Sequence, residues 1–508
     1  MLRAFQKYRN GEAHREADIP RVSLEALASA VVDACRRGGR LVLWFGRRIE
    51  SGVRVYAVVA QDADGLLGLL AADAAEGSSY PAMTTTIPQA NRPERELYEQ
   101  MGIKPEGHPW LKPIRHPRPK VEIGEGHVLG RPDEETIPGR YPFLRMEGSP
   151  VHEVGVGPIH AGIIGPGYFR FECQGETIEH LEIQLGYEHR GAEELIPTVK
   201  PGRVPVIVET IAGDTSIAYA TAYSEMFEAL GGCLISPRAE AIRGIALEVE
   251  RLANHVGDLG ALAADVGFWP STAYLGRIRG EFLNTAMEMG GNRFGRHFIR
   301  PGGTVRDISP ALGDKLLKRM GKAKIDLKRC LNQEFQAASV LNRFENTAPV
   351  GLRQAIDFGF VGLIARASGL AIDVRNDHPT GIWRFAHIPV AISNDGAVLD
   401  RALVRRLEIE RSLDFLIEQL ERLPEGPHRI PCGRPTRGDF CVALVEGWRG
   451  EVAQAVILGP DGSIARYKSQ DPSFHNWDAM ELANRQNAIS DFPVCNKSCN
   501  LAYNGHDL

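Results

Sequence analysis

Apolar residues return at three- and four-residue steps through Ile242, Ile245, Ala246, Val249, Leu252, Ala253, Val256 and Leu259. That spacing predicts one long helix with a continuous buried stripe. Stretches 215–231, 275–289, 312–341 and 403–420 carry the same period, so a bundle of long helices is the expected core beyond about Val151. Short strands are expected around 168–173. After Gly438 the pattern returns to strands, with Asp461-Gly462 as a hairpin turn within 452–467. Nearer the start, Ser23 is placed to cap a helix that stops at Gly38-Gly39. Apolar strands over 41–45 and 53–60 follow, joined around Ser51-Gly52, and a helix is expected over 62–75. From Lys112 to Pro150 the chain is rich in proline, glycine and charge and has little periodicity. The expected fold class is α+β: a small α/β domain over 1–115, an extended linker over 116–150, and a large, mainly helical domain with peripheral short strands over 151–508.

Length agrees with this division, since 508 residues exceed what one core organises. The balance of 59 basic and 64 acidic residues, net charge −5, contains no basic block, so nucleic acid is not an expected partner. No stretch approaches the roughly 18 uninterrupted apolar residues of a membrane helix. The N-terminus lacks the apolar core of a secretory signal. A cytoplasmic, peripheral protein is expected, held at any membrane by partner subunits. None of the eight cysteines forms a CxxC pair, and free, mostly buried thiols are expected. Cys495 and Cys499 form the one close pair, on a tail expected to be non-helical, and a structural role is expected for them.

Two segments nearly three hundred residues apart carry the candidate chemistry. One is Glu209-Thr-Ile-Ala-Gly-Asp-Thr-Ser-Ile-Ala-Tyr219, followed by Ala222-Tyr223; the other runs from Ser498 to Leu508. The first resembles E-R-I-C-G-I-C-x-x-x-H-x-x-A-Y, and the second S-x-D-P-C-x-x-C-x-D-R, of NiFe hydrogenase large subunits. The four cysteines that hold nickel and iron in that family fall on Ala212, Thr215, Ala502 and Gly505. A methyl, a hydroxyl, a methyl and a hydrogen cannot replace four soft anionic ligands. No metal is therefore expected on this chain.

Further motifs widen the resemblance. Residues 23–115 resemble the C subunit of NADH:quinone oxidoreductase through Glu94-Arg95-Glu96 and Gly107-His108-Pro109. Residues 151–508 resemble its D subunit, the homologue of the NiFe hydrogenase large subunit. The matching segments include Gly157-Pro-Ile-His160, Gly186-Tyr-Glu-His-Arg-Gly-Ala-Glu193, Glu248-x-Glu-Arg-x-x-x-His255, Arg449-Gly-Glu451 and Asp471-Pro-Ser-Phe474. The same fusion order occurs in the large subunits of formate hydrogenlyase and other membrane-bound hydrogenases. Where membrane-bound hydrogenases carry the proton-relaying Glu of E-P-G-H, this chain has Gly165-Pro-Gly-Tyr168. The second His of the D-subunit pattern G-P-Q-H-P-x-x-H-G, which meets the quinone headgroup, is missing from 161–168.

The resemblance implies site residues and partners. Tyr223 matches a headgroup tyrosine of the D subunit and, with His189 and Arg190, makes the candidate catalytic set. A phenol can donate a hydrogen bond to a carbonyl and deliver a proton; Tyr223 is equally readable as a core tyrosine satisfied by a neighbour. His189 and Arg190 match a pair facing the 4Fe–4S cluster of an adjoining subunit, where a cation raises the cluster's potential. A structural ion pair of Arg190 with Glu193 or Glu194 is the alternative. Tyr223 and Arg449 are the candidate acceptor-binding residues, with a quinone as candidate acceptor. Glu248 and Glu250, two apart on a helix, cannot share a face, and only one can join a buried charge path. The implied partners are a small iron–sulfur B-type subunit, a ferredoxin-like subunit and antiporter-like membrane subunits. No Gly-rich dinucleotide fingerprint is present, so any NAD chemistry belongs to other subunits. Three functions stay open: a metal-free acceptor cleft in an ion-translocating oxidoreductase, a coupling scaffold with a vestigial cleft, and a metalloenzyme with a rearranged site at Cys495 and Cys499. The chain stops where the mature family ends, so no C-terminal processing is expected.

Overall fold

The computed structural model describes residues 2, 4–115, 141–148, 150–160 and 164–508; the expected linker lies largely outside them. The first sheet places Leu66–Ala74 between Gln6–Tyr8 and Gly52–Gln61, with Arg40–Ile49 beyond. Arg21–Val22 runs parallel to its Ala71 and Ala72. Ser23 caps the Leu24–Arg36 helix as expected, its hydroxyl accepting from the Ala26 amide at 3.2 Å. The helix expected over 62–75 is instead a 3₁₀ turn, Asp62–Asp64, followed by the strand Leu66–Ala74. Leu67 through Ala72 are buried on both faces, so this strand shows no polar–apolar alternation, and its leucines and alanines read as helix formers.

A second antiparallel sheet orders Ile464–Gln470, Glu451–Leu458, Phe440–Glu446 and, at its edge, the N-terminal pair Ala13–His14. The hairpin turn at Gly462 has φ +78°, a left-handed conformation that glycine adopts without strain. The two sheets close one core between them, in which Tyr8, Phe45 and Tyr56 meet Phe440, Val442 and Ile457. Buried ion pairs cross the same boundary. Arg40 binds both carboxylate oxygens of Glu451 at 2.7 Å, and Asp62 as well. Lys468 reaches Glu96 at 2.6 Å.

The bundle expected from the apolar stripes is present as Ser216–Gly231, Pro237–Asp265, Trp269–Gly290, Pro310–Glu334 and Val398–Glu421. Ser236 and Ser309 cap two of these helices, each followed by a proline in the first turn. The periodic stretch 312–341 is broken: one helix ends at Glu334, and a short one, Ala338–Phe344, restarts after Ala337. No helix among the described residues is long and apolar enough to cross a membrane.

Candidate functional site

Between the Pro237–Asp265 and Val398–Glu421 helices lies a fully buried ionic cluster. Glu248 accepts from Arg251 at 3.1 Å, Arg375 at 3.0 Å and Ser412 at 2.6 Å. Glu408 is ion-paired with Arg366 at 2.8 Å and accepts a hydrogen bond from His255 Nε2, also at 2.8 Å. Burial alone would raise the Glu408 carboxyl, but Arg366 and His255 hold it well below the usual range. Arg251 continues to the carbonyls of Glu446 and Gly447, next to Trp448 and Arg449. Glu250 points elsewhere: it accepts from the Ile217 and Ala218 amides at the start of the Ser216–Gly231 helix, and burial pushes its carboxyl up to about 8. Glu248 alone joins the charge path, as their spacing on the helix requires.

The four positions aligned with metal cysteines converge beside this cluster, and side chains of the protein itself fill the space between them. Thr215 accepts from the Trp448 indole at 3.1 Å, and Ala212 is fully buried. Arg449 stacks on Trp448 at 3.8 Å and binds both Asp214 oxygens at 2.7 and 2.8 Å. It also donates to the Asn500 carbonyl at 2.6 Å. Asp471 caps the Pro472–Asn484 helix and accepts the Tyr219 hydroxyl at 2.7 Å. A Cβ on Gly505 would stand 2.5 Å from the Asp471 carboxylate. No cysteine fits there without displacing a buried charge, so the residues present do not suit a four-thiolate metal centre. Arg449, the expected acceptor-binding residue, is held here by Asp214, Trp448 and the Asn500 carbonyl. Asp471, Asp214 and Tyr219 were not singled out as site residues, although each lies in or beside a quoted motif.

His189 and Arg190 are held by Asp507 and Leu508. The Leu508 main-chain oxygen accepts from the Arg190 and Gly191 amides at 2.8 and 3.0 Å. His189 Nδ1 lies 2.7 Å from the Asp507 oxygen, and the Asp507 carboxylate binds the Gly186 and Glu188 amides. The Arg190 guanidinium donates to the carbonyls of Thr210 and Ile211, just before Ala212. Glu193, one of the two carboxylates weighed as an ion-pair partner of Arg190, is engaged by Arg466 and Lys468.

Tyr223 borders a separate, open cleft of about 600 Å³ with Pro205, Arg300, Arg429, Pro431 and Cys432. Its ring packs on Phe227 at 4.6 Å. Among the described residues no protein group hydrogen-bonds its hydroxyl. Burial raises the phenol above its ordinary value, with Arg300 opposing. Gly165 and Gly167 pack on the Tyr503 ring. Cys495 and Cys499 lie on a helix, Phe492–Cys499, and not on an extended tail.

Comparison with known proteins follows this architecture. The model of the respiratory-chain NADH dehydrogenase 49 Kd subunit family matches residues 265–436, and that of the 30 Kd subunit matches 49–128. The D subunit of the NADH-quinone oxidoreductase of Ehrlichia canis is 30% identical over 379 residues, 68% of this chain and 95% of the relative. The chain belongs to this family. It is a fused C/D-type member, similar over 82% of its length to the fused C/D subunit of the NADH-quinone oxidoreductase of Phocaeicola vulgatus, at 26% identity and covering 84% of that protein. It is also 27% identical to formate hydrogenlyase subunit 5 of Escherichia coli over 495 residues, 94% of this chain and 83% of that one. The 30 Kd match precedes the 49 Kd match along the chain, the order of a fused C/D subunit.

Proposed function

We propose that this chain is the C/D-type subunit of a membrane-associated, ion-translocating oxidoreductase complex and holds no nickel–iron centre. It sits peripherally on the cytoplasmic face, beside a small iron–sulfur subunit whose 4Fe–4S cluster supplies electrons. The other partners are a ferredoxin-like subunit and antiporter-like membrane subunits. The observation carrying this reading is the contrast between two neighbouring places. The former metal position is packed by Asp471, Tyr219 and the Arg449–Asp214 pair, whereas one helical turn from Tyr219 the Tyr223 hydroxyl meets an open cleft. A quinone-like carbonyl there would accept a hydrogen bond from Tyr223, whose phenol stays protonated. Arg300 and Arg429 would favour the anionic, reduced form.

A scaffold role is the second reading, favoured by the closed Asp471–Gly505 packing and the buried ionic cluster. Tyr223→Phe in the intact complex separates the two. Loss of one neutral hydrogen bond, about 0.5–1.5 kcal/mol, corresponds to an about two- to twelve-fold weaker acceptor KM, with assembly unchanged. Equal kinetics for the variant and the natural protein would leave the scaffold reading standing. One nickel per chain in the purified complex would end the metal-free reading.

A further inference from the structure

The wall of the Tyr223 cleft contains a feature that this proposed function does not use. The Ser216–Gly231 helix ends at Gly232, whose φ of +64° turns the chain so that the Cys233 amide bonds back to the Glu228 carbonyl at 2.8 Å. The loop leading to the Phe440–Glu446 strand runs alongside, and its Thr436 and Arg437 amides both donate to the Leu230 carbonyl at 2.9 Å. These bonds hold two cysteines together. The Cys233 thiol lies 3.9 Å from the Pro431 carbonyl, whose peptide bond leads into Cys432. The Cys432 thiol lies 3.9 Å from the Phe227 carbonyl, on the helix that leads to Cys233. Each thiol thus reaches a carbonyl of the segment that carries the other cysteine. Both are reduced and only half-buried. The other adjacent pair, Cys495 and Cys499, is fully buried one turn apart on a single helix, where Cβ bonds point the same way and do not suit a disulfide.

We propose that Cys233 and Cys432 form a reversible thiol–disulfide couple that staples the end of the Tyr223 helix to the loop walling its cleft. The oxidant is a low-molecular-weight disulfide. The Cys233 thiolate attacks one of its sulfurs, forming a mixed disulfide and expelling one thiolate. Cys432, its thiol pushed up to about 12 by burial and by Cys233, loses its proton as it attacks the Cys233 sulfur and expels the second. Two electrons and two protons thus pass to the oxidant, which leaves as two thiols. Cross-linked, the loop carrying Arg429, Ile430 and Pro431 cannot part from the helix, so the cleft mouth is held at one width. In a reducing compartment such a pair is open by default and closes under oxidative load.

The intact complex, poised in stepped ratios of oxidised to reduced glutathione, is alkylated and peptide-mapped. The expected result is joint loss of alkylation at Cys233 and Cys432, one cross-linked peptide containing both, and full reversal by reductant. Cys432→Ser should leave Cys233 as a glutathione mixed disulfide, and Cys233→Ser should abolish the cross-link. The couple is overturned if both cysteines stay alkylatable at every ratio, or if the disulfide recovered joins Cys495 to Cys499. Peptide mapping reads the couple without reference to any acceptor, so its failure is distinct from failure of the cleft reading, which Tyr223→Phe decides.

Discussion

Gly505→Ala places a methyl where the structure leaves no room for one, and the cost can be worked from the contacts. The new Cβ would lie 2.5 Å from the Asp471 carboxylate, where ordinary contact begins at 3.4 Å, so the carboxylate must retreat by about 0.9 Å. Moving that far along the Tyr219 hydrogen bond stretches 2.7 Å to about 3.6 Å, beyond a real bond. Losing a bond to a buried charge costs about 1.5–3 kcal/mol, and overpacking adds about 1–3 kcal/mol. Against this, alanine is favoured over glycine in a helix by up to about 1 kcal/mol, and Gly505 lies in the Tyr503–Asp507 helix. The expected net loss is about 1.5–6 kcal/mol. Denaturant unfolding of the full chain, followed by the fluorescence of buried Trp448 and Trp477, measures it. In an Asp471→Ala background the same substitution should cost clearly less, because the opposing carboxylate is gone and only the Cβ contact at 3.0 Å remains. A stabilised Gly505→Ala, or an equal cost in both backgrounds, would refute the account of a filled metal position.

Two further outcomes follow from buried charge. Glu250, held near pKa 8 in the fold against an ordinary 4.5, keeps its proton while the unfolded chain loses its own, so stability falls as pH rises from about 4.5 to 8. Glu250→Gln should flatten that decline by an amount on the order of a few kcal/mol; unfolding free energies at pH 5 and pH 8 that fall as steeply as in the natural protein would contradict it. Arg40→Met leaves Glu451 buried without its partner and Asp62 with His378 alone, and should cost about 3–5 kcal/mol, seen as a lowered unfolding midpoint.

Local signals were legible and remote ones were not. The Ser23 cap and the Ile242–Leu259 stripe read correctly because a cap and a period are written within a few residues. The strand at 66–74 misled because burial on both faces erases alternation. The tail helix at Cys495 and Cys499 was hidden by its shortness and by Pro493 in its first turn. Family motifs located 209–219 and 498–508 but not what fills the space between them, since Asp471, Tyr219 and Gly505 meet only in the fold. The contacts of Arg449 with Asp214 and Asn500 were not legible, since those partners are distant in sequence.

The seating of 186–191 on Asp507 and Leu508 also orders events in time. Partners separated by more than three hundred residues can meet only after synthesis has reached Leu508. Until then the amides of Gly186, Glu188 and Arg190 lack their native acceptors, and the Arg190 guanidinium has no fixed backbone to project from. The loop carrying His189 and Arg190 therefore takes shape long after it has itself been made. Damage confined to Asp507 and Leu508 would be felt at a motif encoded far upstream.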